Sequence, residues 1–178
     1  MRHVHLSQGD LEVLFGKGAK LIVDRPLSQP DQFLAKQRVD LIGEKRTIEN
    51  VGIIGPVRKQ TQVEISRTDA FSLGVKGAPI RQSGDLAGAP TVMVATGETF
   101  VNGATIIAKR HAHLTPATAK KHGITDGQIV KIKFEGERGA ILDGVVARVS
   151  DNFADAVHID SDESNATLAG NSTIILVD

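Results

Sequence analysis

Residues 2–7 read Arg-His-Val-His-Leu-Ser, and residues 110–115 repeat this pattern as Arg-His-Ala-His-Leu-Thr. The two stretches are 108 residues apart, and four of their six positions are identical. In each copy the two histidines are spaced i, i+2, which places both imidazoles on one face of a β-strand. A hydroxyl residue and the pattern of a short amphipathic helix follow both times. One His-x-His pair provides half of a metal site, so two pairs in one small protein predict a whole one.

Length and composition fit a globular protein and argue against several function classes. The chain has 178 residues, enough for one domain or two small ones. Hydrophobic residues make up 40% and charged residues 24%, which are ordinary values for a soluble protein. The 21 basic residues balance the 21 acidic ones, so the net charge favours neither nucleic acid nor an anionic membrane as a partner. Aromatic residues are only 3%, without Trp or Tyr, which disfavours base-stacking surfaces.

The sequence contains no cysteine, which rules out a disulfide framework, a cysteine zinc site and a thiol nucleophile. No apolar run approaches the ~18 residues of a membrane span, and the sequence shows no signal-peptide pattern. We therefore expect a cytoplasmic protein without a membrane partner.

Helix caps and alternating apolar residues predict many short elements. Helices are predicted at 8–15 after Ser7, after Ser66 or Thr68 to 73, from Thr115-Pro116 to 122, and after Ser161 or Asp162 to 168. Strands are predicted at 20–23, 33–42, 47–54, 91–95, 100–108, 128–134, 140–149, 156–160 and 173–177, with a loop over 77–90. Many short strands, 18 glycines and helices of one or two turns favour β-barrels over a parallel βαβ sheet.

Six histidines are the main candidates for chemistry: four in the two pairs, His158 on a predicted strand, and His122. A lone histidine on a strand is usually structural, but the repeated pair favours metal binding. With imidazole ligands and no thiolate, zinc is favoured, although cobalt, nickel or iron would accept the same ligands. Five histidines are too many for one open catalytic zinc and fit two metals with a carboxylate. His122 lies beside Lys120 and Lys121 at a predicted helix end, where a solvated residue is expected, and is left out of the site.

A second unusual stretch, residues 55–66, reads Gly-Pro-Val-Arg-Lys-Gln-Thr-Gln-Val-Glu-Ile-Ser. As a single strand it would place five polar side chains on one face: Arg58, Gln60, Gln62, Glu64 and Ser66. This face is either a solvent-facing edge or the wall of a polar cavity, in which Arg58 grips a phosphate and Glu64 binds metal. A straight strand would hold Arg58 and Glu64 about 20 Å apart at ~3.3 Å per residue. A shared site therefore requires the segment to bend between them.

Residues 158–166 read His-Ile-Asp-Ser-Asp-Glu-Ser-Asn-Ala and combine an acidic cluster with two residues that are harder to explain. Helix capping and the helix dipole account for the acidic residues. His158 and Asn165 have no comparable structural explanation, so both stay candidates for a functional site.

These stretches, in this order, resemble the phosphate propanoyltransferases, a family of phosphotransacylases. The resemblance rests on residues 2–7, 55–71, 109–116 and 158–166 and covers nearly the whole chain. It implies transfer of a short acyl group between coenzyme A and inorganic phosphate, with propanoyl- or acetyl-CoA and phosphate as the expected partners. The implied fold is mainly β (α+β), with two small tandem β-barrels capped by short helices. Residues 2–108 would form the first barrel, and residues 109–178 most of the second.

The resemblance also implies site residues and cofactors. Two zinc ions are implied, with the ligand sets His3, His5, Glu64 and His111, His113, His158. Arg58 would contact phosphate, and Asn165 and Arg25 would face the nucleotide of coenzyme A. Because the chain has no cysteine to carry an acyl group, we expect phosphate to attack the thioester directly in a ternary complex.

Two departures from the family pattern bear on these expectations. Family members carry an extended strand before the first histidine pair, whereas only Met1 and Arg2 precede it here. Either the second barrel has an open edge and the first metal site is weakened, or the sequence as given does not begin at the natural start. The sequence also lacks the amphipathic helix that targets some relatives to bacterial microcompartments, which favours a free cytoplasmic enzyme. The acyl chain preference and the oligomeric state, monomer or homodimer, stay open.

Other classes fit parts of the pattern. A zinc-dependent hydrolase or thioesterase also uses a His-x-His strand, but the barrels of amidohydrolases need far more than 178 residues. A cupin-like enzyme requires a glutamate a few residues after the first pair, where Asp10 and Glu12 fall in a predicted helix. A non-catalytic module that binds a metal or an anion is the third alternative.

Overall fold

The computed structural model describes residues 2–169 and 174–177, which are rich in β-strands. The strands are β1 (His3–His5), β2 (Val23–Pro26), β3 (Phe33–Ile42), β4 (Thr47–Gly55), β5 (Gln62–Ile65), β6 (Ile80–Arg81), β7 (Thr91–Thr96), β8 (Thr99–Ala108), β9 (His111–Leu114), β10 (Ile129–Phe134), β11 (Ala140–Val149), β12 (Ala156–His158) and β13 (Ile174–Val177). The helices are α1 (Gln8–Phe15), α2 (Arg67–Leu73), α3 (Pro116–His122) and α4 (Ser161–Thr167). The expected mainly β class with short helices is confirmed. Within these residues, no helix has the length and apolar character that crossing a membrane requires.

The first of two compact units, residues 2–27 and 31–108, is built around a closed six-stranded β-barrel. Hydrogen bonding runs in a ring from β3 through β4, β1, β5, β8 and β7 back to β3. β2 extends the sheet beside β3, and β6 extends it beside β8. Closure pairs every strand of the ring on both sides, so successive side chains alternate between the core and the outside. The core contains aliphatic side chains that include Val4, Leu41, Ile53, Val63 and Ile65.

The second unit, residues 28–30 together with the chain from residue 109 onward, contains a five-stranded sheet. Its strand order is β12-β9-β11-β10-β13, and the sheet does not close into a ring within the described residues. Its core includes Ala112, Ile132, Phe134, Val145 and Ala147. In place of the expected second barrel, the described part of this unit therefore has a separate small sheet.

Residues 28–30 belong to the second unit, and one of them has a buried polar side chain. Gln29 is 3% exposed, and its Nε2 donates a hydrogen bond to the carbonyl oxygen of Ala154 at 2.9 Å. Its Oε1 accepts a hydrogen bond from the Ala154 N–H at 3.4 Å. The contact satisfies both ends of a buried amide.

The first three helices have the caps that the sequence predicts. The side chains of Ser7, Ser66 and Thr115 each accept a hydrogen bond from the backbone N–H three residues further on. Gly74 and Gly123 follow α2 and α3 with φ angles of 80° and 65°, in the left-handed region that glycine adopts at little cost. Ser7 and Thr115 directly follow the two histidine strands, so their caps fix the direction in which the chain leaves each strand.

The N-cap of α4 differs from the prediction of Ser161 or Asp162. Asp160 occupies this position, because its carboxylate accepts a hydrogen bond from the Glu163 N–H at 2.9 Å. The Glu163 carboxylate in turn accepts one from the Asp160 N–H at 3.2 Å, which completes a capping box. The same cap ends β12 at His158 rather than at the predicted residue 160.

Other predicted strand boundaries also differ from the structure or lie outside the described residues. β2 spans Val23–Pro26 instead of 20–23, and Pro26 is tolerated because β2 pairs only with β3 in the described residues. The predicted loop over 77–90 contains the two-residue strand β6. The last strand is described from Ile174, and the predicted first residue of this strand, Thr173, lies outside the described residues.

Candidate metal centres

β1 places His3 and His5 on one face and Val4 on the other. It lies between β4, to which it is parallel, and β5, to which it is antiparallel. Val4 is fully buried in the core of the first unit, so the two flanking histidines point to the opposite face of the strand. Across the antiparallel ladder, His3 lies opposite Glu64 and His5 lies opposite Gln62. The ladder thus brings a carboxylate beside two imidazoles.

His3, His5 and Glu64, here called the first triad, converge at a spacing that suits a metal. Nε2 of His3 lies 3.6 Å from Oε2 of Glu64, and Nε2 of His5 lies 3.9 Å from Oε1 of the same carboxylate. One ligand atom from each residue lies within 4.8 Å of the other two. These distances are too long for direct hydrogen bonds and suit atoms that each bind one ion at about 2 Å.

The surroundings of His5 keep its imidazole neutral. Its Nδ1 donates a hydrogen bond to the carbonyl oxygen of Ile54 at 2.9 Å, which leaves the lone pair on Nε2 directed toward Glu64. Burial, followed by the charge of His3, lowers the pKa of His5 to about 3, with a smaller lowering from Arg58. Glu64 opposes this shift without cancelling it. An imidazole that is neutral at physiological pH is the form that binds metal.

Gln62 fixes the carboxylate of the first triad from within the same strand. It is 2% exposed, and its Nε2 donates to Glu64 Oε1 at 2.6 Å and to Ser83 Oγ at 2.7 Å. Its Oε1 accepts a hydrogen bond from the backbone N–H of Gly84 at 3.0 Å. Because a backbone N–H can only donate, this last contact determines which end of the amide faces Glu64. Gln62 therefore orients the carboxylate toward the two imidazoles.

The segment between Arg58 and Glu64 bends, as a shared site requires. Strand β5 begins only at Gln62, and residues 59–60 form a bend. The backbone N–H of Arg58 donates to the carbonyl oxygen of Leu6 at 2.8 Å, which anchors Arg58 beside the end of β1. The guanidinium is near enough to His5 to contribute to its lowered pKa. The alternative of a straight, solvent-facing edge strand is wrong for this stretch.

β9 repeats the arrangement of β1 in the second unit. It lies between β11, to which it is parallel, and β12, to which it is antiparallel. Ala112 is fully buried between the two histidines of the pair, and His111 lies opposite His158 across the antiparallel ladder. The repeated sequence thus has a repeated local fold, in which His158 takes the position of Glu64.

His111, His113 and His158, here called the second triad, also offer one ligand atom each within 4.8 Å of the other two. The rings of His111 and His158 are stacked with centroids 5.0 Å apart, and the ring of His113 lies 4.8 Å from that of His158. Nδ1 of His111 donates to the carbonyl oxygen of Lys109 at 2.9 Å, which leaves its Nε2 as the ligand atom. Three imidazoles thus converge without a carboxylate.

His113 is the most deeply constrained ligand of the second triad. Its ring is 4.0 Å from the ring of Phe153 and nearly parallel to it, and the residue is 5% exposed. Burial, followed by the charges of His158 and His111, lowers the pKa of His113 to about 3, with a further contribution from Arg148. Neither ring nitrogen has a hydrogen-bond partner in residues 2–169 and 174–177. A buried imidazole in this state is costly unless an ion binds it, so the residues present fit a metal.

The remaining predicted residues lie outside both triads. Arg25 is exposed on β2, and Asn165 is exposed on α4. His122, which the sequence excludes from the site, is exposed at the end of α3. The structure thus brings together the two predicted ligand sets, whereas the contacts of Arg25 and Asn165 with coenzyme A stay predictions.

The sequence predicts no role in a metal site for three neighbours of the triads. It places Gln62 only on a polar face, although residues two apart on a strand share a face, so the position of Gln62 beside Glu64 could have indicated its contact with this carboxylate. Arg148 lies directly opposite His113 in the β9–β11 ladder, and its guanidinium lies 5.6 Å from the Phe153 ring centroid. Phe153 lies in the connection between β11 and β12, where no sequence pattern marks it.

Comparison with known proteins gives a consistent family assignment. The family model for phosphate propanoyltransferase matches residues 1–170. A phosphate propanoyltransferase of Listeria monocytogenes is 48% identical over 167 residues, which cover 93% of this chain and 78% of the relative. One of Thermotoga maritima is 48% identical over 99% of this chain and 85% of the relative. One of Rhodopseudomonas palustris is 40% identical over 99% of this chain and 78% of the relative.

Two His-rich triads on equivalent strands define a candidate metalloprotein with two sites, one in each unit. The match over residues 1–170 includes every member of both triads. The chain belongs to the phosphate propanoyltransferase family, as the motifs of the sequence indicated.

Proposed function

We propose that this protein is a phosphate acyltransferase. It would convert a short-chain acyl-CoA, such as propanoyl- or acetyl-CoA, and phosphate into acyl phosphate and coenzyme A, and catalyse the reverse reaction. The observation that carries the reaction class is the family match over residues 1–170.

Both triads are proposed to hold a metal ion, and zinc is the metal that their ligands favour. The first triad offers two imidazoles and a carboxylate, and the second offers three imidazoles. These donor sets suit tetrahedral zinc with one position open to a substrate. When bound, zinc supplies a Lewis acid that holds an oxyanion and stabilises negative charge on a carbonyl oxygen.

Arg58 is proposed to bind phosphate. Its side chain is half-buried and forms no hydrogen bond or ion pair with another residue in the part of the chain that the structure describes. A planar guanidinium donates to two phosphate oxygens at once, which orients the remaining oxygens. Arg58 would therefore both recruit phosphate and present one of its oxygens for attack.

Transfer is proposed to be direct, within a ternary complex. An oxygen of phosphate attacks the thioester carbonyl carbon, a C–O bond forms, and the C–S bond breaks. The proton carried by hydrogenphosphate passes to the departing thiolate, so the reaction balances without another reactant. Holding the two substrates together removes much of the entropic barrier to this step. The chain contains no cysteine that could carry the acyl group between two half-reactions.

Arg25 and Asn165 are proposed to contact coenzyme A. Both side chains are exposed, so neither needs to leave the core to reach a ligand. The charge of Arg25 suits a nucleotide phosphate, and the amide of Asn165 can donate to and accept from a polar group.

A coenzyme A release assay with zinc-loaded protein tests the proposed reaction. Propanoyl-CoA or acetyl-CoA is supplied with and without phosphate, and both free thiol and acyl phosphate are measured. We expect equal amounts of the two products, formed only when phosphate is present. Initial rates at varied concentrations of both substrates should give the intersecting lines of a ternary-complex mechanism.

Each of the other possible outcomes would indicate a different function or mechanism. Thiol release without phosphate would identify a thioesterase and reject the transferase. No thiol release by protein with both metals bound would favour a non-catalytic module. Parallel lines in the kinetic plots, together with a trapped acylated protein, would reject direct transfer while leaving the overall reaction in place.

A further inference from the structure

The arginine that precedes each histidine pair forms an ion pair with an acidic residue in its own unit. Nη2 of Arg2 lies 2.8 Å from Oδ1 of Asp69, and its Nε donates to Oδ2 at 3.1 Å, so the contact is bidentate. Nη2 of Arg110 lies 2.6 Å from Oε1 of Glu163. Asp69 and Glu163 occupy the same place in the two units, five residues after the third member of the triad. We call each ion pair an arginine latch.

Both latches end on a helix that starts immediately after the third ligand of a triad. Ser66, the N-cap of α2, comes two residues after Glu64, and Asp160, the N-cap of α4, comes two residues after His158. In each helix the carboxylate that receives the arginine also belongs to the capping box. In each unit, one carboxylate therefore caps the helix that follows the third ligand and also binds the arginine that precedes the histidine pair.

The latches lie where the ligand strands are weakest. His3 and Glu64 form the end pair of the β1–β5 ladder, and His111 and His158 form the end pair of the β9–β12 ladder. Local opening of a protein begins at such ends, because fewer contacts hold them. In each triad the three candidate ligand atoms lie within 4.8 Å of one another. An opening at the end of the ladder would separate the third one from the histidine pair.

The buried part of each latch is its carboxylate. The Asp69 side chain is 6% exposed and that of Glu163 is 17% exposed, whereas the arginines are 43% and 32% exposed. Arg110 also donates from Nη1 to the carbonyl oxygen of Asp143 at 2.9 Å, so it contacts β11 as well. The carboxylates are thus fixed within the fold, and each is bound by the arginine that directly precedes the histidine strand.

We propose that Arg2 and Arg110 are positioning residues for the two metal sites, each acting on its own triad. Arg2, through Asp69, holds the segment of Glu64 against the first histidine pair, and Arg110, through Glu163, holds the segment of His158 against the second. The latch thereby sets the metal affinity of the triad in its own unit. This inference rests on the proposed binding of a metal by both triads.

Site-resolved zinc affinities of the full-length chain test this inference. Zinc is withdrawn with a chelator of known affinity, and the two steps of the curve are assigned with Glu64→Ala and His158→Ala. We expect Arg2→Ala to weaken the first triad about 10- to 100-fold and to change the second by less than about twofold. Arg110→Ala should give the reverse pattern. Cobalt-loaded protein provides a second readout, since its visible absorption should change only for the triad whose latch is broken.

Three further variants complete the test. Arg2→Lys keeps the charge but loses the fork of two bonds, so an intermediate affinity is expected. Arg67→Ala removes an exposed arginine from the start of α2 and should leave both affinities unchanged. Asp69→Asn, which preserves the size of the side chain, tests the same contact if Arg2→Ala does not fold.

The outcomes separate this inference from the proposed function. If the latch variants lower only the unfolding temperature, or weaken both triads equally, the arginines merely stabilise the fold and the inference is wrong. If the unaltered protein binds no zinc at either triad, the metal part of the proposed function fails as well.

Discussion

The two triads share a backbone arrangement and differ in their chemistry. In each, a histidine strand lies between a parallel and an antiparallel neighbour, and the antiparallel neighbour provides the third member of the triad. That member is the carboxylate of Glu64 in the first triad and the imidazole of His158 in the second. The carboxylate is oriented by a hydrogen bond from Gln62, whereas the second triad is packed against the ring of Phe153. The same strand geometry therefore accommodates two different donor sets.

This difference sets the charge that each site would carry. With neutral imidazoles, the first triad has a formal charge of −1 from Glu64, and the second is uncharged. A divalent ion would then leave about one net positive charge in the first site and about two in the second. We expect the second site to attract anionic substrate groups more strongly and the first to hold its ion with less residual charge. Two metals on equivalent strands need not have equivalent roles.

Removal of the third ligand should have the largest effect, and it tests whether both triads matter. Glu64→Ala and His158→Ala should each lose one zinc per chain and lower kcat/KM at least about 1,000-fold, because each removes a Lewis acid worth several kcal/mol. Metal analysis and the coenzyme A release assay measure the two effects.

Variants that replace one potential zinc ligand with another provide the control for the two alanine substitutions. His158→Glu and Glu64→His replace one zinc ligand with another, so both should keep two zinc ions and more activity than the alanine variants. Full activity of either alanine variant, with one zinc bound, would show that its triad has no part in the reaction.

Loss of Arg58 should have the next largest effect, and it tests whether phosphate is bound beside the first triad. Arg58→Ala should lower kcat/KM for phosphate about 100-fold, since a charged, two-pronged donor is lost. Arg58→Lys should restore only part of it. Arg138→Ala, in an exposed turn outside both triads, is the matched control and should behave like the unaltered protein. An effect of Arg58→Ala confined to the KM for acyl-CoA would contradict the assignment.

The histidine pairs could be predicted from the sequence because i, i+2 spacing on a strand always places both side chains on the same face. Glu64 and His158 could be placed only through the family resemblance, since their pairing with residues about 60 and 47 positions earlier depends on which strands become neighbours. Phe153 could not be predicted, because its contact with His113 arises from the path of an irregular connection. Closure of the first sheet depends in the same way on the pairing of β3 with β7, which are far apart in the sequence.

Substitution of the residues that contact the triads, Gln62 and Phe153, should have smaller effects on zinc affinity, and each should affect only its own triad. Gln62→Leu should lower the zinc affinity of the first triad about 10- to 100-fold, because the carboxylate loses the donor that orients it. Phe153→Ala should lower that of the second only about tenfold, because a ring contact is worth roughly 0.5–1.5 kcal/mol. Chelator competition measures both affinities. Loss of zinc from the triad that was not altered would contradict this division.

The smallest effect is expected for His122, the one histidine outside both pairs and the second triad. His122→Ala should keep two zinc ions and change the free energy of unfolding by no more than about 0.5 kcal/mol, because the residue is exposed at a helix end. Metal analysis and chemical denaturation check this prediction. Loss of a zinc ion from this variant would mean that the ligands have been assigned to the wrong residues.

Zinc-edge anomalous scattering from crystals of zinc-loaded protein tests the central claim most directly. We predict two peaks per chain, one bounded by His3, His5 and Glu64 and the other by His111, His113 and His158, each with ligand distances of about 2.0–2.2 Å. A single peak, or a peak coordinated by other side chains, would contradict the claim that each histidine pair forms the core of its own metal site.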